Sequence, residues 1–68
     1  QGVVESVDFD RGIVVVRDGA YGRFSTVLLR GEDARLGDLR PGDFVVLSGN
    51  WNNGGAFEAY AVEDLQNR

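Results

Sequence analysis

Apolar residues along this chain fall in short runs, with glycine or aspartate between them. Residues 3–9 (VVESVDF) form the first run, and Asp10-Arg11-Gly12 closes it as a turn. Residues 13–17 (IVVVR) form the second and are dense in β-branched side chains, which suit a pleated surface. Asp18-Gly19 follows, a strong short hairpin signal. Further runs occupy residues 23–29 (RFSTVLL), 44–48 (FVVLS) and 56–62 (AFEAYAV), the last after the segment NWNNGG. The pattern predicts five strands and little helix, hence an all-β domain.

The one long connection, residues 30–43, holds a different signal. Asp33 is placed to cap a single helical turn through Ala34, Arg35 and Leu36, with Gly37 ending it. Leu36 and Leu39 are three apart and both can point inward. Arg40-Pro41-Gly42-Asp43 reads as a type II turn, with Pro41 fixing its own φ and Gly42 taking the positive φ after it. Five short strands with a helical turn between the third and fourth make the layout of a small OB-like barrel. The barrel is expected over residues 1–65, with residues 66–68 as a tail. The fourth run is apolar on both parities, Phe44 and Val46 against Val45 and Leu47, as for a strand covered on its outer face by a loop or a second subunit.

OB barrels bind ligands on the outer face of their second and third strands, flanked by loops. A two-residue Asp18-Gly19 turn would pair Val16 with Tyr21 and Val14 with Arg23. Opposed residues share a face. The expected core face is then Ile13, Val15, Phe24, Thr26 and Leu28, and the expected outer face is Val14, Val16, Tyr21, Arg23 and Ser25. A bulge at Gly22 would swap the parity beyond it. Tyr21, Arg23, Val14, Val16 and Trp51 are therefore the candidate partner-binding residues. Trp51 also has a structural expectation, as a lid folded back over the open end of the barrel.

Composition narrows the chemistry. The chain has 68 residues, so one domain at most, and no cysteine to staple it. Gln1 in place of an initiator methionine points to an excised domain or processed segment. Without histidine or cysteine there is no Ser-His-Asp or Cys-His arrangement, and the usual zinc ligand sets are missing. Without lysine there is no phosphate-binding P-loop and no Schiff base. Glu32-Asp33 and Glu63-Asp64 are adjacent in sequence and diverge on an extended chain. Asp8-Phe9-Asp10 opens like a calcium loop, but Gly12 and Gly19 stand where such a loop needs oxygen ligands, so these read as turn aspartates. No cofactor or metal is expected, and no catalysis. Eleven acidic residues against seven arginines give a net charge of −4, which disfavours nucleic acid. No apolar run approaches the ~20 residues of a membrane span, so no membrane insertion is expected.

The segments GVVESVD, LGDLRPGDFVVLSG and GGAFEAYAVEDL resemble a small bacterial domain family of unknown function. That resemblance covers nearly the whole chain and implies an OB-like barrel, often carried in exported or envelope proteins, with no assigned catalytic residues. LGDLRPGD also resembles, in part, the turn of OB-like domains attached to transporter ATPases, from which NWNNGG departs. The expected function is a non-catalytic binding module within a larger bacterial protein or a homo-oligomer, with a protein partner or self-association. The alternative is an OB-type binder of single-stranded nucleic acid or oligosaccharide.

Overall fold

The computed structural model describes residues 1–67. Its strands are β1 (Gly2–Asp8), β2 (Ile13–Arg17), β3 (Phe24–Leu29), β4 (Phe44–Trp51) and β5 (Phe57–Gln66), with one 3-10 turn, Ala34–Asp38, between β3 and β4. They close into a barrel in the order β1-β2-β3-β5-β4. All neighbours are antiparallel except β3 and β5. The chain is thus the small five-stranded OB-like barrel that the run pattern predicts, with the helical turn in the expected place. β4 reaches Trp51 and β5 reaches Gln66, both beyond their expected ends. Gln66 therefore belongs to the barrel and not to a tail, and Arg68 lies outside the described residues.

A barrel's diameter grows with its strand number, so five strands leave a narrow interior. The buried core is Val4, Val14, Val16, Val27, Val45 and Val62, with Ala59 and the plug residues Leu36 and Leu39. Valine supplies β-branched bulk without length, which is what this bore accepts. Bulges adjust the pattern where the sequence is not alternating. Glu5 is the extra residue of β1, since Val4 pairs with Val16 and Ser6 with Val15. That lets Val4 and Val7, an odd number of positions apart, both face inward. On β5 the skipped residues are Tyr60 and Glu63, so Ala59, Val62 and Leu65 all turn to the core at intervals of three.

The β2–β3 hairpin corrects the expected register. Arg17 pairs with Phe24, Val16 with Ser25, Val15 with Thr26, Val14 with Val27 and Ile13 with Leu28. Relative to the expected pairing, each partner is displaced by four positions, which preserves the two groups of residues sharing a face. What changes is which group lies inside. Val14 and Val16, expected outside, are 0% and 7% exposed, whereas Phe24, expected in the core, is 65% exposed. The turn is a four-residue loop and not Asp18-Gly19 alone. Asp18 N–H donates to the Arg23 carbonyl at 2.7 Å and Gly22 N–H to the Asp18 carbonyl at 2.8 Å. Gly22, with φ 68°, takes the left-handed position that closes the loop.

The plug is held by Asp33. Its carboxylate accepts from the Val62 N–H of β5 at 2.9 Å and, as the N-cap, from the Arg35 N–H at 3.0 Å. The Arg35 guanidinium also pairs with Asp33 and reaches the Val62 carbonyl. The Pro-Gly turn is as expected, with Gly42 at φ 94°. It clamps β1, because Gly42 N–H donates to the Val4 carbonyl and Val4 N–H to the Asp43 carbonyl, both at 2.8 Å.

The register makes opposite demands of two residues. Val14→Asn should cost about 3–5 kcal/mol, from lost burial and an unpaired buried amide, and unfold much of the population. Phe24→Asn should stay within about 0.5 kcal/mol of the parent in urea denaturation. Asp33 gives a pH test. The Val62 and Arg35 amides and the Arg35 side chain lower its pKa from 3.8 to about 2. The ionised form is the bonded one, so its contribution is complete above pH 3.8 and is lost as pH falls through about 2. The urea midpoint should fall between those pH values, and less steeply in Asp33→Asn.

Candidate interaction site

The two long hairpins end on the same side of the barrel. β3 and β5 run parallel, with Val27 beside Phe57, so the β2–β3 tip and the β4–β5 tip rise together. Each tip is set by one side chain. Asp18 Oδ1 accepts from Ala20 N–H at 2.7 Å and Tyr21 N–H at 3.1 Å. Asn52 Oδ1 accepts from Gly54 N–H at 2.9 Å and Ala56 N–H at 3.0 Å, while Asn52 N–H bonds the Ala56 carbonyl at 2.8 Å. Both are Asx-type turns, in which a short polar side chain stands in for a backbone acceptor.

Trp51 is therefore not in a loop. It is the last residue of β4, paired with Phe57. β4 alternates strictly, so Val45, Leu47, Gly49 and Trp51 share the concave face. Trp51 meets Phe57 edge-on, with centroids 5.2 Å apart and planes at 72°. It remains 63% exposed, so it stands on the rim of the barrel and does not close it.

Between the two tips the barrel mouth holds a cavity of about 190 Å³. Val16, Val27, Val45 and Leu47 form its floor, Phe57 and Trp51 one wall, and Gln1, Asp18 and Ser25 the remaining rim. Asp18 is the only charged side chain among the described residues lining it. A second, shallower depression at the plug end is mostly polar and is flanked by Arg35, Asp43 and Glu63.

The expected site residues divide accordingly. Tyr21, Arg23 and Trp51 all lie at this end and are exposed. Arg23 sits 5.9 Å from the Tyr21 ring centroid, at the outer range of a cation–π contact. Val14 is in the sealed core, and Val16 contributes only to the cavity floor. Sequence reasoning missed Phe24, Leu47 and Phe57, whereas Asp18 borders the candidate surface in the sequence reading as well. The alternation of Val45, Leu47, Gly49 and Trp51 was a usable signal for β4 running on to the mouth.

Electrostatics at the surface are local. Arg11 pairs with Asp8, Arg17 with Glu5, Arg30 with Glu58 and Arg35 with Asp33. Asp8 also accepts from the Arg11 N–H, the turn role expected of it. No helix among the described residues is long and apolar enough to cross a membrane. Comparison with protein-family models, with curated proteins and with solved structures gives no match.

A lid and a rim residue differ in stability. Trp51→Ala should cost about 1 kcal/mol, chiefly the edge-on contact with Phe57. A buried lid would cost at least 2–3 kcal/mol on burial alone. Thermal and urea denaturation of the variant, read by circular dichroism, separates the two.

Proposed function

We propose that this barrel is a non-catalytic protein-interaction module that docks a partner at the end carrying both hairpin tips. One observation carries the proposal. The three most exposed large apolar side chains, Tyr21 at 80%, Phe24 at 65% and Trp51 at 63%, all stand at that end, where Trp51 also lines an apolar mouth. Exposed aromatic residues are favoured anchors of protein interfaces. The composition supports the non-catalytic part, since histidine, cysteine and lysine are all missing. Membership of the small bacterial OB-like family, with an exported or envelope setting, is part of the same proposal and agrees with the barrel.

Nucleic acid fits this end less well. Four arginines are already neutralised by carboxylates, and the charge in the mouth is Asp18, which repels phosphate. An oligosaccharide would stack on Trp51 but gains nothing from the apolar floor beneath it.

Trp51 is the sole tryptophan and reports directly on this end. Its emission should stay unchanged when oligothymidylate, oligouridylate or cellohexaose is titrated to the millimolar range at low salt. Linear peptides selected on the chain from a random display library should shift it at micromolar concentration. Tight homopolymer or oligosaccharide binding, or a library that yields no peptide acting at Trp51, overturns the proposal.

A further inference from the structure

The outward face of β2 and β3 is apolar, although a sheet with one face on the core normally turns polar residues to solvent. Val14, Val16 and Val27 fill the core, so Ile13, Val15, Phe24 and Leu28 turn outward, together with Thr26 and Arg17. Phe24 is 65% exposed, and Ile13, Val15 and Leu28 are half-buried. The flanking strands are polar at the same levels. On β1, Ser6 stands beside Val15 and Asp8 beside Ile13. On β5, Glu58 stands beside Leu28. The ion pairs Arg17–Glu5, Arg11–Asp8 and Arg30–Glu58 edge the stripe. An apolar centre within a polar rim is the anatomy of a protein interface.

Both chain ends lie across the barrel from this stripe. Gly2 pairs with Val45 and Gln66 with Phe44, so both ends flank β4. In the closed order β1-β2-β3-β5-β4, β4 is the wall opposite β2 and β3. Residues adjoining either end in register would lie beside β4 and not over the stripe.

Charge decides what covers it. The three rim pairs are neutralised within the chain, so the stripe demands no net charge of its occupant. Two exposed charges form no ion pair among the described residues: Asp10, in the turn before β2, and Arg23, in the loop after it. They lie off opposite ends of the stripe. Asp18, the acidic residue of the same loop, lines the mouth on the concave side. A face of this kind complements itself when the strands of two copies run in opposite directions.

We propose that a second copy of this chain packs stripe to stripe, about a two-fold axis that crosses β2 and β3 at the level of Val15 and Thr26. Arg23 of each copy then meets the Asp10 end of the other, and Phe24 covers Leu28 of the second copy. Strands running the same way would instead set Arg23 against Arg23 and Asp10 against Asp10, and like charges oppose that arrangement. The stripe is two strands wide, at the small end of specific interfaces, where association is weak and transient. Dilute barrels are therefore monomers. The contact is separate from the partner end, because Trp51 and the mouth lie on the concave side and stay open in the pair.

Sedimentation velocity of the full chain should show reversible monomer–dimer exchange between about 10 μM and about 1 mM. Salt at about 0.15 M screens the net charge of −4 during that measurement. Thr26→Glu places one charge from each copy at the axis, on a residue already exposed, so the fold persists and self-association should fall roughly tenfold or more. Asp10→Arg and Arg23→Asp should each weaken it about tenfold. A one-to-one mixture of those two variants should recover it, because each copy then supplies the charges that the other lacks. Trp51→Ala should leave it unchanged. The methyl resonances of Val15 and Leu28 should shift with protein concentration, and those of Leu36 and Val62 should not.

A chain that stays monomeric at about 1 mM overturns the proposal. So does a mixture of the two charge variants that associates no better than either alone, and so does association that survives Thr26→Glu. These three results leave peptide capture at Trp51, which tests the partner end, unaffected. If oligothymidylate, and not protein concentration, moves the Val15 and Leu28 resonances, the occupant is nucleic acid and the proposal falls.

Discussion

The width of the barrel interior governs most of what this molecule is. Five strands enclose a bore that valine fills, and six of the nine core residues are valine. Larger side chains are placed elsewhere. The two leucines of the core enter from the plug at one end, and Phe57 and Leu47 are half-buried at the other. Phe9, Tyr21, Phe24, Trp51 and Tyr60 are all exposed. The inside–outside choice in the β2–β3 hairpin has the same origin. One face offers Val14, Val16, Ser25 and Val27, and the other Ile13, Val15, Arg17, Phe24, Thr26 and Leu28. The second set holds the longer apolar side chains and also the Arg17 charge. Volume and the cost of burying that charge both put it outside, because an interior at crystal-like density has room for neither.

Much of the acidity is structural. Asp8, Asp18, Asp33 and Asp43 each accept a backbone N–H in a turn or a cap. Asp43 is buried and satisfied by the Arg40 N–H at 3.1 Å, in the turn that clamps β1. A small domain without disulfides has little stability to spare, and such turns limit the entropy its loops must lose. The surplus of carboxylates need not therefore signal a cationic ligand over the whole surface. Asp18 is the exception, because its turn lies on the rim of an apolar mouth.

The mouth owes its shape to the two long hairpins. β1 pairs with β4 through Gly2 and Val3, opposite Val45 and Phe44. β4 is eight residues long and pairs with β5 out to Trp51. That length carries Leu47 and Trp51 up beside the β2–β3 tip, around an apolar floor. The same end carries exposed aromatic residues for which the core has no space.

The sequence by itself determined the number of strands, their order along the chain, the plug capped by Asp33 with Leu36 and Leu39 inward, and the type II turn at Pro41-Gly42. Each of these depends on local chemistry: β-branched runs, a side-chain cap, a fixed φ and a positive one. It also grouped correctly the β2 and β3 residues that share a face, because alternation survives a slip of four. The side on which each group lies was not legible, nor was the place of Trp51. Those depend on the bore that five strands enclose and on how far β4 pairs with β5, out to Trp51. Both are properties of the closed sheet, and no window of neighbouring residues contains them.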